Sequence, residues 1–332
     1  MSPSARRLLL PLVPAWRLAL ALRELRLRTG IEKVQRLRWP VVSIGSLSAG
    51  GAGKTPLTIA LVRLLIANGF DVDVLSRGYG RRGGAAGRVR PDGMADEFGD
   101  EPLLIAREAG VHVFVAPNRY DAGLLAEADA ERQTAPGRAV HLLDDGFQHR
   151  QLARDADIVI LGREDLRDQL LPAGNLRETR SAIRRADVVA LGTDELQLEA
   201  ELRRLDWTGP LWRIRRAMEV PAVDGPVAAF CGIARPEQFF RGLESAGIRL
   251  AMRAAFRDHY RYTGSDIERL VSAAKAAGVA ALVTTEKDKI RVEPFAGMLP
   301  GSLPLLTARL KIEFEDEAGV MQWLKHRLKE NL

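Results

Sequence analysis

Apolar positions in this chain follow two rhythms. Short, mostly apolar runs at 41–44, 72–75, 111–115, 140–143, 158–161 and 188–191 alternate with longer stretches of helical period. Such apolar runs separated by helices predict a parallel sheet covered on both faces, where ligands gather beyond the carboxyl ends of the strands. Polar and glycine residues follow nearly every run: "SLSAGGAGKTP", "SRGYGRR", "APNR", "DDGFQH" and "LGRED". Near residues 207–226 the pattern changes, and "DWTGPLWRIRRAMEVPAVDGP" brings in three prolines. Beyond it the rhythm predicts a second α/β unit with strands near 227–230, 249–256 and 281–284. Its helices are expected near 236–245, 265–277 and 315–329. The predicted organisation is an arm over 1–38, a nucleotide-binding unit over 39–207, a linker over 208–225 and a smaller α/β unit over 226–332.

The arm interleaves leucines with arginines. Nine Arg/Lys stand against two Glu in residues 1–38, so the arm carries +7 of a chain total of +6 and the remaining 294 residues sum to about −1. Its longest uncharged stretch, 8–16, is far short of the roughly 18–20 residues a spanning helix needs. Pro11 and Pro14 interrupt the apolar region, which argues against a secretory signal. A helix starting near Pro14, with Trp16 at one end, fits a segment lying in a membrane interface. The plainer reading is a first helix that docks its leucines on the core and leaves its arginines in water. The segment brings no base-reading module, so no nucleic-acid partner is expected, and no obligatory protein partner is predicted either. With 332 residues and 46% hydrophobic content the chain can bury a large core. Its single cysteine, Cys231, excludes an internal disulfide framework and a multi-cysteine zinc site, and suits a reducing compartment.

Candidate chemistry begins at residues 46–56. A glycine-rich turn between strand and helix lets successive N–H groups surround a phosphate, and the helix N-terminus adds its dipole. Ser48, Ala49, Gly50, Gly51, Ala52 and Gly53 supply that turn, Lys54 would reach the β and γ phosphates, and the Thr55 hydroxyl would ligate Mg²⁺. The strict G-x-x-x-x-G-K-S/T pattern wants glycine where this chain has Ser48. A second station, "HLLDDGFQH" at 141–149, ends an apolar strand in Asp144-Asp145, as a Walker-B element does when its carboxylates hold Mg²⁺. Alone, two such acids would be a solvated turn; in the same sheet as a phosphate loop they gain a use. "FGDEP", "LPAGNLRE" and "FRDHYRYT" carry little singly, since Asp100 could cap a helix and Asp258-His259 could be a loop pair. Phosphoryl transfer to an alcohol needs a phosphate cradle, Mg²⁺, extra positive charge and a base that aligns the acceptor hydroxyl.

In order along the chain, "GGAGKTP", "LSRGYGRR", "GDEP", "DDGFQH", "LLPAGNLRE", "CGIARPEQF", "DHYRYT" and "TTEKD" resemble one family, the tetraacyldisaccharide 4′-kinases of Gram-negative bacteria. That family tends to carry Ser or Thr at the position of Ser48. The resemblance implies a P-loop NTPase-like parallel sheet flanked by helices with a smaller second α/β domain, ATP and Mg²⁺ as cofactors, and γ-phosphoryl transfer to the 4′-hydroxyl of a lipid-borne disaccharide 1-phosphate. It places the enzyme peripherally on the cytoplasmic face of the inner membrane and gives the arm a purpose. By the same resemblance Glu178 joins Asp144 and Asp145 in the acidic metal group, and Asp100 is the acceptor-activating carboxylate, paired with His259. Arg177 and His149 neutralise charge near the phosphates, and Arg77 and Arg119 contact the anionic acceptor. The family commonly reads D-H-H where this chain has Asp258-His259-Tyr260. A pairing of Asp100 with His259 predicts a site completed between the two units.

Two other readings compete. A regulatory P-loop ATPase switch would not need Asp100, and a soluble sugar kinase would leave the arm without work. A GTPase finds no N/T-K-x-D signature, because "EKDK" at 286–289 has Glu at its first position.

Overall fold

The computed structural model describes residues 6, 8–50, 53–129, 137–195 and 197–329. Among them, twelve strands form one sheet: β1 Val41–Gly45, β2 Asp71–Ser76, β3 Gly87–Arg88, β4 His112–Val115, β5 Ala139–Asp144, β6 Ala156–Leu161, β7 Val188–Gly192, β8 Leu211–Glu219, β9 Val227–Cys231, β10 Leu250–Ala255, β11 Ala281–Thr285 and β12 Leu305–Phe314. Their order is β10-β9-β11-β12-β8-β7-β6-β1-β5-β2-β4-β3. All neighbours run parallel except β12 with β8 and β3 with β4. The six runs expected as strands of the first unit are all strands, and almost all of their residues are buried, as their apolar character requires.

β1 lies between β5 and β6, so the chain leaves it toward β2 on one side and later reaches β6 and β7 on the other. A reversal of strand order opens a crevice at the carboxyl ends, and the glycine-rich turn sits in that place.

The structure differs from the expected organisation at 208–225. Nine of those residues are strand β8, which pairs parallel with β7 and antiparallel with β12 and so welds the two units into one sheet. Its alternation was obscured by arginines: Trp212 and Ile214 are buried while Arg215 and Arg216 are exposed. The antiparallel pairing sets Phe314 of β12 opposite Ile214 and thereby returns the chain to the first unit. The closing helix Glu317–Lys329 accordingly packs Val320, Met321, Leu324 and Leu328 into the first unit's core with Ile44, Leu61 and Leu65.

The arm is a helix, Val13–Arg28, with Pro14 in its first turn, where the missing N–H costs nothing. Val13, Trp16 and Leu20 pack on the cluster beneath β6 and β7, while Leu18, Leu22 and Leu25 remain 61%, 51% and 56% exposed. One face of the helix is thus docked on the core, as the plainer expectation has it, and the other leaves its leucines exposed.

At the opposite end of the sheet from the glycine turn, His141 is wholly buried. Its Nδ1 lies 2.7 Å from Asp73 and its Nε2 3.4 Å from Glu127. Burial opposes its charge, but the two carboxylates outweigh burial and push its pKa up to about 9. A folded pKa above the ordinary value means that the stabilisation is complete below about pH 6.5 and is lost as pH rises through about 9. Chemical denaturation at pH 6.5 is expected to show His141→Gln destabilised by about 3–5 kcal/mol, the usual loss when a buried pair is broken. At pH 9.5 the gap should narrow. An equal gap at both pH values would mean that His141 is neutral in the fold.

Candidate active site

The turn after β1 places Gly50 and Gly53 at φ +72° and +87°, backbone that side chains rarely adopt, and the helix Lys54–Ala67 starts directly behind them. Gly51 and Ala52 lie outside the described residues. Lys54 is buried, with its Nζ 3.3 Å from Ser46 Oγ and 3.6 Å from Asp145 Oδ1. Thr55 is buried in the first turn of the helix. The Thr58 hydroxyl donates to Asp144 Oδ1 at 3.1 Å, and the other oxygen of Asp144 is buried without a partner.

Asp144 and Asp145 are adjacent yet differ sharply. Burial, then the nearby carboxylates of Glu101 and Asp145, pushes Asp144 up to about 7. Burial also acts on Asp145, but Lys54 and Arg177 outweigh it and hold that carboxyl well below the usual range. Arg177 grips Asp145 with two bonds, 2.9 and 2.6 Å, and donates to the Ser48 carbonyl at 3.0 Å. An orphaned, buried carboxylate oxygen beside the helix that follows the phosphate loop fits a hard cation with oxygen ligands. Among the described residues no three His, Cys, Asp or Glu side chains cluster as a metal cage. Mg²⁺ takes one or two protein ligands plus phosphates and waters.

The second unit supplies His259, which stands in left-handed backbone at φ +54°. Asp145 at φ +50° is another of the three described non-glycine residues with positive φ. Such strain persists where the surroundings over-determine it, as at sites of chemistry. His259 Nδ1 lies 3.5 Å from Asp100 Oδ2, and Tyr79 meets its ring edge-on at 5.0 Å. The Asp100 hydrogen bond raises the His259 pKa more than burial lowers it. Asp100 is itself buried; burial alone would raise its pKa, but His259, Arg291 and Lys287 hold it well below the usual range. Arg291 bonds Asp100, lies 3.2 Å from His259 Nδ1 and bonds Asp288 at 2.9 Å. Lys287 pairs with Glu101.

Two cavities flank the turn. One, of about 620 Å³, runs between the units and is lined beyond Thr55 by Met218, Phe239, Ala246 and Leu310. The other, of about 850 Å³, opens beside the arm and is lined by Arg23, Arg77, Arg119, Asp145, His149 and Arg177, among others. Gly50, Lys54, Glu101, Asp258 and His259 line both, so the cavities share a wall. Arg119 is largely buried with its Nε unpartnered, and burial lowers its pKa to about 10. Burial and then Arg119 push His149 down to about 3, which keeps it neutral.

Most of the expected site residues therefore converge on this wall or the cavities beside it, with two differences. Asp100 lines neither cavity and stands behind His259. Glu178 turns away from Asp144 and Asp145; it takes Arg23 of the arm and, at 3.3 Å, Arg185. The three successive residues thus serve different partners: Leu176 bridges to Ser48, Arg177 holds Asp145, and Glu178 meets the arm. Glu101, Lys287 and Arg291 were missed as functional residues, although "GDEP" and "TTEKD" had drawn attention to two of their neighbourhoods.

Residues 5–329 match the LpxK family, tetraacyldisaccharide-1-P 4′-kinase. The tetraacyldisaccharide 4′-kinase of Koribacter versatilis is 43% identical over 295 residues, covering 86% of this chain and 87% of that protein. The protein of the same name from Anaeromyxobacter sp. (strain K) is 43% identical over 306 residues, covering 84% and 79%. A crystal structure of "apo" form LpxK from Aquifex aeolicus in complex with ATP superposes with a TM-score of 0.74 at 31% identity, over 98% of this chain and 99% of that one.

Proposed function

Because this chain belongs to the tetraacyldisaccharide-1-P 4′-kinase family, it is an ATP-dependent phosphotransferase of lipid A biosynthesis, and we propose that transfer to the 4′-hydroxyl of tetraacyldisaccharide 1-phosphate takes place at the wall shared by its two cavities. The carrying observation is that Lys54 of the phosphate loop and His259 of the second unit line both cavities. The interdomain cavity takes ATP, with its apolar end of Met218, Phe239 and Leu310 against the base. The arm-side cavity takes the disaccharide, its arginines facing the acceptor's phosphate. His259 accepts the proton of the attacking hydroxyl, and Asp100, fixed by Arg291, orients the imidazole and stabilises its charged form. Arg177 and Lys54 stand where negative charge spreads during transfer. The chemistry Mg²⁺ supplies when bound is neutralisation of the phosphate oxygens; the unpartnered oxygen of Asp144 and the Thr55 hydroxyl of the loop would hold it.

The arm attaches the enzyme peripherally to the cytoplasmic face of the inner membrane. Leu18, Leu22 and Leu25 recur at helical spacing on its solvent side, with Arg17 and Arg26 beside them, and no described helix is long and apolar enough to cross a membrane. The acceptor cavity opens next to this helix through Arg23. Acyl chains can therefore stay in the bilayer while the sugar enters.

The test incubates the protein with γ-labelled ATP, Mg²⁺ and vesicles bearing the acceptor. Label should move to the lipid. Label released only as free phosphate, with no lipid dependence, would favour an ATPase switch instead. In the same assay Leu18→Ser/Leu22→Ser/Leu25→Ser should cosediment with anionic vesicles at least about 100-fold more weakly, given about 1.5–3 kcal/mol for each fully buried leucine. Its KM for ATP should not change. Undiminished vesicle binding would remove the arm from the membrane.

A further inference from the structure

Ser48 stands where the strict phosphate-loop pattern has its first glycine, and its surroundings give that hydroxyl a use. It is wholly buried and donates to Asp165 Oδ1 at 2.6 Å. Asp165 is also wholly buried. The same oxygen accepts from the Arg235 guanidinium at 2.8 Å, and its other oxygen accepts from the Gly162 N–H at 2.8 Å. Ser48 and Asp165 belong to the first unit, whereas Arg235 comes from the loop after β9 in the second. Beside it, Ala234 approaches Gly50 so closely that a Cβ on that glycine would lie 2.6 Å from the alanine's.

The other end of that loop reaches the His259 cluster. The Gly232 carbonyl accepts from Arg291 at 2.8 Å and from the His259 backbone N–H at 3.1 Å, and the Gly232 N–H donates to Asp288 at 3.0 Å. Five residues of "CGIAR" thus touch the phosphate loop at one end and the dyad's support at the other. The electrostatics give the arrangement a direction. A buried carboxylate is costly without a cation, and Arg235 is the cation that pairs with Asp165 across the cleft.

We propose that Ser48, Asp165 and Arg235 form a latch between the units that positions the phosphate loop when the second unit is seated over it, so that ATP is held tightly only when His259 is in place. The three are positioning residues. The inference rests on the reading of residues 46–55 as the nucleotide loop.

Steady-state kinetics with ATP and detergent-dispersed acceptor varied separately test it, using Ser48→Ala, Arg235→Gln, their double variant and Arg235→Lys. Ser48→Ala and Arg235→Gln should each raise KM for ATP about 10- to 100-fold, the range expected when a hydrogen bond to a charged group is lost. KM for the acceptor should stay within about twofold. The double variant should be no worse than the worse single, because both act through Asp165, and Arg235→Lys should recover part of the loss. Additive effects, or equal losses toward both substrates, would overturn the latch. Should a variant be too unstable for kinetics, label distances between Arg203→Cys and Ser272→Cys, one exposed site on each unit, decide. At saturating ATP, Arg235→Gln should broaden a distribution that is narrow in the parent, and an unchanged distribution would again overturn the proposal. Lys54→Ala is the control. If its ATP dependence were normal, the nucleotide-loop reading itself would have failed, a result distinct from failure of the latch.

Discussion

Lys54→Ala is expected to lower kcat for lipid phosphorylation by on the order of 10²–10³, the range seen when one preorganised group facing developing charge is removed. The ammonium is buried at the wall shared by both cavities, 3.3 Å from Ser46 Oγ and 3.6 Å from Asp145. Water cannot replace it there, and no rearrangement is needed at the moment of transfer. The fold should survive, because Arg177 still holds Asp145 by two bonds, so a thermal melt close to the parent's should accompany the lost turnover. Lys54→Arg should rescue little, since a planar guanidinium cannot occupy the confined space of an ammonium lodged between a hydroxyl and a carboxylate. Single-turnover transfer of labelled phosphate measures the effect. A rate within threefold of the parent would show that the phosphates lie elsewhere.

The second large effect concerns His259 and the carboxylate behind it. His259→Ala should cost about 10²–10⁴ in kcat, the contribution of a positioned proton acceptor. Asp100→Asn should cost nearly as much, and the double variant no more than His259→Ala alone, because Asp100 acts through the imidazole. The pH profile separates this from a structural defect. A base must be neutral to accept a proton, so activity should fall on the acid side as His259 becomes charged. Asp100 raises the His259 pKa. Its replacement by Asn therefore lowers that pKa and should shift the acid limb of kcat/KM to lower pH even as the rate drops. A limb that stayed in place, or moved to higher pH, would separate Asp100 from the proton acceptor. A parent-like rate in His259→Ala would sink the assignment altogether.

The placement of Asp100 behind the histidine, and not against the hydroxyl, follows from its neighbours. It lies between Arg291 and Lys287, both from the second unit, and a carboxylate so paired is a weak base. His259 is partly exposed to both cavities and carries the raised pKa. The division of work resembles that in other acid–base pairs: one group meets the substrate and the other sets its orientation and charge. Glu178 is a similar case. The family resemblance implied a metal role, yet the side chain clamps Arg23, and the same segment accepts the Trp16 indole N–H at the Arg177 carbonyl, 3.3 Å away. The arm is thus seated on the segment that borders the phosphate loop.

What the sequence by itself determined is local in origin. Short apolar runs specify strands buried on both faces because each side chain must find a partner on one face or the other. The glycine turn before Lys54-Thr55 is legible because only particular residues tolerate its backbone, and the acids at the end of β5 because their strand places them beside it. Tertiary structure decided the rest, for the same reason in each case. Lone charges look alike in a sequence, and their meaning comes from partners far along the chain: Asp100 and Arg291 are 191 residues apart, Glu101 and Lys287 are 186, and Asp165 and Arg235 are 70. The strand β8 was hidden by exposed arginines, and the closing helix, legible in its rhythm, owes its place on the first unit's core to its return across the sheet. Desolvation and long-range pairing turn these ordinary surface residues into a site, and neither is a property of any short stretch of chain.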